Sequence, residues 1–322
     1  MNLMFTNYHY FLVLAEEGNM TRAAERLFIS HQNLSKYLSN LEADFGITLF
    51  ERKPSFRLTS AGQSMYEALC QVKSLECNLR DEYADLREDR GGEITLGTTE
   101  GRFRILMPNL ISDFKNAFPD VHLRIVSAAS PELQEMVLNN RLDMMVVGMP
   151  GTPSRFLTST VILQEKLYLV VSDNMLRQYF PELYPACKQI WLTEGADLRN
   201  FQQMPFALNL PYFNSSMLLK RHLEKIGASL DCVHVSSHPD LHHMMSTRDY
   251  TASFCLTMYL PGVLKLNQEL NNKLNIFPIK DFHETNPVVV SYLQSRVFRR
   301  STQMLLQMIR QNCKVFSQYD LI

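Results

Sequence analysis

Residues 19–58 read NMTRAAERLFISHQNLSKYLSNLEADFGITLFERKPSFRL and contain two short amphipathic segments followed by a turn. Asn19 is a typical N-cap residue and precedes a short first helix. Ser30 is a second N-cap, for a helix that extends to about Phe45 and ends at Gly46. Three leucines share one face of this second helix at helical spacing: Leu34, Leu38 and Leu41. The pattern therefore predicts two helices packed closely around a tight turn.

The other face of the second helix is rich in hydrogen-bond donors and acceptors. It carries His31, Gln32, Asn33, Ser35, Lys36 and Tyr37. Side chains of this size and chemistry can contact base edges in a DNA major groove. A basic, hairpin-like segment follows, with Arg52, Lys53 and Arg57. These features indicate a DNA-reading module, and a pair of helices that serves only for packing is the alternative.

The order of these residues resembles the winged helix-turn-helix of the LysR-type transcriptional regulators. Their pattern is F-T-R-A-A-x-x-L-x-x-S-Q-x-x-L-S-x-x-I-x-x-L-E-x-x-L-G-x-x-L-F-x-R, followed by L-T-x-A-G. The matching residues are Thr21–Arg22–Ala23–Ala24, Leu27, Ser30, Leu34–Ser35, Leu41–Glu42, Gly46, Leu49–Phe50, Arg52 and Leu58–Thr59–Ser60–Ala61–Gly62. Two departures stand out, because the usual Gln-Pro after the cap is His31–Gln32 here and Pro54–Ser55–Phe56 replaces the wing glycine and second basic cluster.

The resemblance implies that residues 1–58 dock the second helix in the major groove of double-stranded DNA. Ser35 and Lys36 are expected to approach bases or the adjacent phosphates, and Arg52 the DNA backbone or minor groove. The complete set of expected DNA contacts is Thr21, Arg22, Ser30, His31, Gln32, Asn33, Ser35, Lys36, Tyr37, Arg52, Lys53 and Arg57. Residues 1–58 contain six basic and six acidic side chains, so we expect modest non-specific affinity.

The whole chain has the composition of a globular protein. Its 322 residues are 46% hydrophobic and 20% charged, with a net charge of −1, which suits two to three domains. The apolar start has helical periodicity and no basic residue before Arg22, so it predicts a helix that ends near Gly18 rather than a secretory signal. No run of eighteen apolar residues occurs, so we expect no membrane partner and a cytoplasmic location.

Cysteine and histidine residues give weaker signals. The six cysteines lack CxxC spacing, so we interpret them as free, mostly buried thiols, with a redox-sensing pair as the alternative. One metal-like cluster is present: Cys232, His234, His238, His242 and His243. Pro239 falls between the two histidines spaced four apart, and we interpret the cluster as surface histidines on a strand-to-helix turn. We therefore expect no metal site, and metal sensing is the alternative.

Residues 59–90 are predicted to form one long helix, because they contain no proline and a single glycine, Gly62. Apolar residues follow a heptad pattern that Glu82 interrupts: Met65, Ala68, Val72, Leu75, Leu79 and Leu86. This seam is long enough for a two-helix coiled coil, so we expect a homodimer that reads a dyad-symmetric operator. A helix that packs only on its own chain is the alternative. The resemblance agrees with a dimerising linker helix and implies a tetramer, with Gly91–Gly92 as a hinge.

Residues 93–322 alternate between strand-like and helix-like segments, which predicts a parallel α/β sheet. The resemblance implies two lobes like those of a periplasmic solute-binding protein, lobe I from residues 91–163 and 268–322 and lobe II from residues 164–267. The crossovers would fall near Leu163–Glu165 and Leu264–Gln268. The expected fold class is thus an α+β multidomain protein: a winged helix-turn-helix, a long linker helix and a two-lobed α/β effector domain.

Two polar turns follow strands, Gly97–Thr98–Thr99–Glu100–Gly101 and Ser127–Ala128–Ala129–Ser130–Pro131. Sheets of this type bind ligands at the carboxyl ends of their strands, and the resemblance places effector contacts at such positions. The expected contacts are Thr98, Thr99, Glu100, Ser130, Asn209, Phe213 and Asn214. We expect no cofactor and an unidentified small-molecule effector, and the charges of Glu100 and Arg102 favour a charged or zwitterionic one. For any single hydroxyl, a role in a helix cap or turn is the better interpretation, and it is the joint placement of these residues that favours a binding site.

The sequence also bears on two other classes of function. An enzyme is disfavoured because the chain has no G-x-S-x-G, P-loop, H-E-x-x-H or dinucleotide-binding motif. A cytosolic small-molecule- or metal-binding protein with structural N-terminal helices is the alternative. The ordered match over residues 19–62 disfavours it.

Overall fold

A computed structural model describes residues 7–52, 55–86, 92–151, 154–269 and 273–319. The side chains of residues 80–82, 84–86 and 269 lie outside this description. So do Lys53 and Pro54 of the expected wing and Gly91 of the expected hinge.

The N-terminal module contains helices and a small hairpin. Its elements are α1 (Tyr8–Glu17), α2 (Met20–Arg26), α3 (His31–Phe45), β1 (Phe50–Glu51) and β2 (Arg57–Leu58). Asn19 caps α2 by accepting hydrogen bonds from the N–H groups of Thr21 and Arg22 at 2.9 and 3.1 Å. Ser30 caps α3 by accepting one from the Asn33 N–H at 3.2 Å. Both predicted caps are confirmed, and α3 ends as expected at Gly46, whose φ of 64° is left-handed.

One apolar core holds this module together. The three leucines on the inner face of α3 are fully buried, together with Phe11 and Leu14 of α1. Burying a side chain of this size contributes roughly 1.5–3 kcal/mol, so this face supplies much of the stability of the module. Gly62 lies where a methyl group would collide with the Leu49 carbonyl, which explains the glycine in the L-T-x-A-G pattern.

The predicted linker helix is present as α4 (Ser60–Leu86). Its first turns belong to the core of the N-terminal module through Met65, Leu69 and Cys70. Further along, polar contacts attach the helix to the α/β region that follows it in the chain. Asn78 donates to the Ser295 carbonyl at 2.7 Å, and Lys73 donates to the Asn139 carbonyl at 3.0 Å.

The remaining elements alternate as predicted. The strands are β3 (Gly92–Thr98), β4 (Val121–Ser127), β5 (Met144–Gly148), β6 (Leu157–Glu165), β7 (Leu167–Ser172), β8 (Pro205–Asn209), β9 (Asp231–Ser236), β10 (Ser253–Leu256), β11 (Leu274–Pro278) and β12 (Asn286–Leu293). The helices are α5 (Glu100–Ala117), α6 (Ser130–Leu138), α7 (Asp173–Tyr179), α8 (Ala186–Glu194), α9 (Asn214–Ile226), α10 (Pro239–Thr247), α11 (Leu260–Glu269) and α12 (Arg300–Lys314). Short 3-10 turns occupy Leu198–Phe201, Thr257–Tyr259 and Val315–Tyr319.

These elements form two lobes, each built on a sheet. Among the described residues, lobe I has the strand order β4-β3-β5-β12-β6. Lobe II has β10-β7-β11 and the parallel pair β8-β9, joined by a bridge between Phe206 and Ala252. β3, β4 and β5 are parallel as predicted. β12, by contrast, runs antiparallel to both β5 and β6, because β6 carries the chain towards lobe II and β12 brings it back.

The second crossover lies later than predicted. The chain first leaves lobe I between β6 and β7, next to the expected Leu163–Glu165. It returns only after Pro278, because β11 pairs antiparallel with β7 and thereby completes the sheet of lobe II. The expected crossover at Leu264–Gln268 is wrong, since this stretch lies inside α11. Lobe II therefore extends from Lys166 to at least Pro278.

Candidate DNA interface and inter-lobe site

The exposed face of α3 matches the prediction in most positions. His31, Gln32, Asn33 and Lys36 are exposed, and Ser35 is half-buried. The cap geometry of Ser30 places the start of α3, with its free N–H groups, at one end of this face. Ser39 and Asn40 lie about one turn further and are also exposed. Their polarity extends the predicted face beyond the residues expected from the sequence.

Tyr37 does not belong to this face. Its side chain is 7% exposed and packs edge-to-face on Tyr10, with 5.4 Å between the ring centroids. Burial raises the pKa of Tyr37 to about 12. The expectation that Tyr37 contacts DNA is therefore wrong. The residue falls beside Leu34, Leu38 and Leu41 around the helix, and its ring completes the apolar face.

Basic side chains around α3 differ in their partners. Arg22 pairs with Glu17 at 3.4 Å, Arg52 with Glu42 at 3.5 Å and Arg57 with Glu51 at 2.5 Å. Lys36 has no carboxylate partner in the part of the chain that the structure describes. Among these described basic side chains, the ammonium group of Lys36 is thus a charge that a phosphate or a base could bind without breaking an ion pair.

Glu42 fixes the hairpin against α3. One carboxylate oxygen accepts hydrogen bonds from the N–H groups of Leu49 and Phe50, at 2.8 and 3.2 Å. Phe56 stacks on Phe50, with 4.7 Å between the centroids. An aromatic contact thus anchors the hairpin where the family has a wing glycine.

We expect Lys36→Ala to weaken operator binding by about 1–3 kcal/mol and to flatten discrimination between operators, because the ammonium group would contact a base. The measurement is a titration of specific and scrambled DNA by fluorescence anisotropy. Lys314→Ala, at the exposed end of α12, is the matched control. An equal loss on both DNAs would show that Lys36 only positions the module on phosphate.

The two polar turns emerge side by side from lobe I. β3 and β4 pair in parallel, with Thr98 opposite Ser127. Thr99 is the N-cap residue of α5, and Ser130 is the first residue of α6. Both are half-buried, so part of each residue stays exposed. Thr98 is different, because its buried hydroxyl donates to the Val146 carbonyl at 2.9 Å. The expectation that Thr98 contacts an effector is wrong, and its hydroxyl joins neighbouring strands instead.

A buried ion pair lies beside Thr99. Arg102 Nη2 is 2.7 Å from Glu165 Oε2, and the same oxygen accepts from Asn286 Nδ2 at 2.7 Å. Arg102 Nη1 donates to Thr99 Oγ1 at 3.4 Å. Burial opposes the charge on Arg102, but the Glu165 carboxylate outweighs it, so the pKa of Arg102 is raised. Glu165 ends β6 and Asn286 begins β12, so the ion pair between Arg102 and Glu165 lies where the chain crosses between the lobes.

Lobe II reaches this network through Asn214, the first residue of α9. Its Nδ2 donates to the Met149 carbonyl of lobe I at 2.9 Å and to Asn286 Oδ1 at 3.4 Å. Gly148 leaves room for the Asn214 side chain, since a Cβ at position 148 would lie 3.0 Å from Asn214 Nδ2. Among the expected effector contacts, Thr99 and Asn214 are thus connected through Arg102, Glu165 and Asn286.

The lobes also meet at the start of α5. Arg104 donates to Glu100 at 2.7 Å and to Asp240 of lobe II at 2.8 Å. Tyr259 of lobe II packs so closely that a methyl group at Gly101 would collide with its hydroxyl. Burial raises the pKa of Tyr259 to about 12, so the phenol stays neutral. Glu100 is exposed and engaged in this surface ion pair.

Asn209 and Phe213 lie elsewhere in lobe II. Asn209 Nδ2 donates to Ser215 Oγ at 3.2 Å, and Asn209 lines a cavity beneath α9. Phe213 stacks on Tyr212, with 5.3 Å between the centroids, and is the N-cap residue of α9. Among the described residues, no side-chain hydrogen bond joins Asn209 or Phe213 to Arg102, Glu165 or Asn286.

The histidines of the metal-like cluster have separate partners. His242 Nε2 is 2.7 Å from Ser236 Oγ, and His243 Nε2 is 3.4 Å from the Phe254 carbonyl. Burial lowers the pKa of both His242 and His243 to about 4, so they are neutral at neutral pH. Contrary to the surface interpretation, both are buried. Within the described ranges, no three His, Cys, Asp or Glu side chains are placed to hold a metal ion.

The described helices include none that combines the length and the apolar character needed to cross a bilayer. The described geometry is that of a winged helix-turn-helix joined by a long helix to a two-lobed α/β domain. Family models match both parts: the "bacterial regulatory helix-turn-helix protein, lysR family" over residues 5–63 and the "LysR substrate binding domain" over residues 87–314. The chain therefore belongs to the LysR family of DNA-binding transcriptional regulators, which are not enzymes.

Individual relatives agree with this family. The regulator YtlI of Bacillus subtilis is 31% identical over 144 residues, covering 44% of this chain and 46% of that protein. YcgK of the same species, described as uncharacterized, is 29% identical over 54% of each chain. The chain spans about half the length of these curated relatives.

Solved structures share the fold across nearly the whole chain. A full-length OxyR variant from Pseudomonas aeruginosa has a TM-score of 0.63 at 17% identity, over 98% of this chain and 95% of that one. ArgP from Mycobacterium tuberculosis has a TM-score of 0.63 at 14% identity, over 95% of each chain. CbnR, solved in complex with its target DNA, has a TM-score of 0.50 at 17% identity, over 94% of this chain and 97% of that one.

Proposed function

We propose that this regulator binds a dyad-symmetric operator as a homodimer and responds to a small molecule bound between its lobes. The observation that carries the proposal is the network of Arg102, Glu165, Asn286 and Asn214, which connects both lobes beside Thr99. A ligand that binds at Thr99 and Ser130 would alter this network. A change in lobe contact would then shift the population of two arrangements of the paired DNA modules.

The dimer is supported by the exposed face of α4. Leu75 is 60% exposed and Leu79 47%, and Tyr83 continues the stripe at 55%. Lys73 and Asn78, which contact lobe I, lie around the helix on either side of this stripe, so the stripe itself is available for a second copy of the helix. Two α4 helices paired along this stripe would hold two α3 helices at a fixed separation, which a palindromic operator requires. A tetramer, formed from two such dimers, remains a proposal from family resemblance.

The effector is proposed to be a charged or zwitterionic small molecule. Arg102 and Glu165 offer one charge of each sign beside Thr99, and Arg102 Nε and Glu165 Oε1 have no hydrogen-bond partner among the described residues. A ligand with a carboxylate and an ammonium group could satisfy both atoms. We place the protein in the cytoplasm, where its DNA would lie, and propose no cofactor.

A footprint on the DNA upstream of its own coding sequence tests the proposal. Protection of two half-sites related by a dyad, surviving moderate salt and competitor DNA, is expected. Diffuse protection that disappears with salt would indicate electrostatic binding only. That result, or no protection, would favour the stand-alone ligand-binding alternative.

We expect Thr99→Val to blunt the effector response by about tenfold or more while operator affinity without effector is kept, because the change removes one hydrogen bond to a charged ligand, worth about 1.5–3 kcal/mol. The measurement is operator binding across an effector titration. Thr193→Val, an exposed threonine on α8, is the control. If Thr99→Val lowered operator affinity equally with and without effector, the assignment of the pocket would be wrong.

A further inference from the structure

Lobe II contains a cavity of about 450 Å³ beneath α9. It lies between α9, the strands β8 and β9, and the loop after α9 at Ala228–Leu230. This volume falls in the range of small-molecule sites, about 300–1,000 Å³. Of the expected effector contacts, Asn209 lines the cavity, whereas Thr99, Ser130 and Asn214 do not. The cavity is therefore distinct from the site beside Arg102.

The walls of the cavity are mainly apolar. Leu219 and Leu223 of α9, Leu230 of the following loop and Phe254 of β10 contribute to them. The charged groups at the cavity belong to Lys220 and Glu224, which are exposed and pair with each other at 3.8 Å. Because the described residues that line the cavity carry no buried charge, the cavity favours a neutral molecule over an ion.

Polar groups around the cavity leave one acceptor unused. Ser216 donates to the Asn209 carbonyl at 3.0 Å, and His242 is engaged with Ser236. Asn209 Nδ2 donates to Ser215, but Asn209 Oδ1 is buried and receives no hydrogen bond from any described residue. A buried acceptor without a donor destabilises a protein, so a ligand that supplies an O–H or N–H would be held there.

We propose that this cavity is a second ligand site, for a neutral aromatic or aliphatic molecule that carries one hydrogen-bond donor, such as a phenol or an alcohol. The apolar walls bind the body of the molecule, and Asn209 Oδ1 accepts its hydrogen bond. This site goes beyond the proposed function, which places a charged effector between the lobes.

The position of the cavity connects it to regulation. α9 forms one wall, and its first residue, Asn214, donates to the Met149 carbonyl of lobe I. A ligand that shifts α9 changes this contact between the lobes. Occupancy of the cavity is thus coupled to the site beside Arg102, and each ligand changes the affinity for the other by the same factor.

The test is isothermal titration calorimetry of the full-length protein with 1-naphthol and with 1-methoxynaphthalene, which has the same ring system but no donor. We expect one 1-naphthol per chain, bound about tenfold more tightly than the methyl ether, as expected for one hydrogen bond. Ala228→Phe places a large side chain in the lining of the cavity and is expected to weaken the binding of 1-naphthol at least tenfold. Asn209→Leu is expected to abolish the preference for 1-naphthol while leaving the ether bound.

Thr99→Val separates this site from the one between the lobes, because it is expected to leave 1-naphthol binding unchanged. Circular dichroism and the emission of Trp191, the single tryptophan, report whether each variant is folded. Folded Ala228→Phe that binds 1-naphthol as tightly as the parent protein would overturn the proposal. So would loss of binding in Thr99→Val, equal affinity for both compounds, or no saturable binding at millimolar concentration.

Discussion

Glu165→Gln is expected to lower the free energy of unfolding by about 3–5 kcal/mol, the typical loss when one partner of a buried ion pair is removed. Glu165 is fully buried and Arg102 nearly so, and their contact is 2.7 Å long. An amide keeps the shape of the carboxylate but leaves the guanidinium charge buried without its counter-charge. Asn286, at the start of β12, also donates a hydrogen bond to the Glu165 carboxylate. Because Glu165 ends β6 and Asn286 begins β12, losing this carboxylate affects both crossings of the chain between the lobes.

The measurement is equilibrium unfolding in urea, followed by circular dichroism and by Trp191 emission. Glu51→Gln is the matched control, because Glu51 pairs with the exposed Arg57 and such surface pairs contribute about 0–1 kcal/mol. A second variant, Arg102→Met with Glu165→Leu, removes both charges and is expected to recover most of the stability. If Glu165→Gln unfolded at the same urea concentration as Glu51→Gln, the pair would have no structural role.

The N-terminal module could be predicted closely because its signals are local. Asn19 and Ser30 cap the helices that follow them, and Gly46 adopts the left-handed conformation at the end of α3. Capping depends on residues two or three positions apart, which the sequence displays directly. Tyr37 is predicted wrongly for a related reason. Its hydroxyl suggests the polar face, whereas the position of its ring around the helix decides its burial.

The inter-lobe site is harder to predict because its contacts join distant segments. Arg102 meets Glu165, which lies 63 residues further along the chain, and Asn286 reaches the same carboxylate only after the chain has crossed between the lobes twice. Thr98 and Thr99 are adjacent, yet their side chains differ in environment. Thr98 is the last residue of β3 and is buried in the sheet, whereas Thr99 follows the strand and is half-buried. A carboxylate shortly after a run of apolar residues, as at Glu165 after Val161–Leu163, is the sequence signal that could have indicated a buried partner.

The second crossover shows the same limit. The true crossover, between β11 and β12, contains no glycine that would mark it in the sequence. The expectation of a crossover at Leu264–Gln268 follows from the family resemblance alone. Strand pairing decides the boundary, because β11 is held by β7 along Leu274–Pro278. Such antiparallel pairing links residues about a hundred positions apart in the chain. A pattern read along the sequence contains no information about which lobe a short strand will complete.

Leu75→Glu combined with Leu79→Glu is expected to convert the dimer to a monomer and to weaken operator binding on the order of 10²-fold or more. Both side chains lie on the exposed stripe of α4, so in a dimer each charge would face its copy and lose its hydration. Two linked DNA modules bind with an effective concentration that a monomer lacks, and the gain from such linkage is typically 10²–10⁴-fold. Fold stability is expected to change little, because both side chains are exposed in the single chain.

Light scattering after size exclusion measures the mass of the variant, and anisotropy measures its affinity for the full operator and for one half-site. Ile190→Glu with Leu192→Glu is the matched control, since these residues are 44% and 40% exposed on α8, away from the stripe. Affinity for a single half-site is expected to be similar in all three proteins, because α3 is unaltered. If the Leu75 and Leu79 variant remained dimeric and kept its full-operator affinity, the pairing surface would lie elsewhere on the chain, and the spacing of the α3 helices would have to be set by the α/β lobes instead of α4.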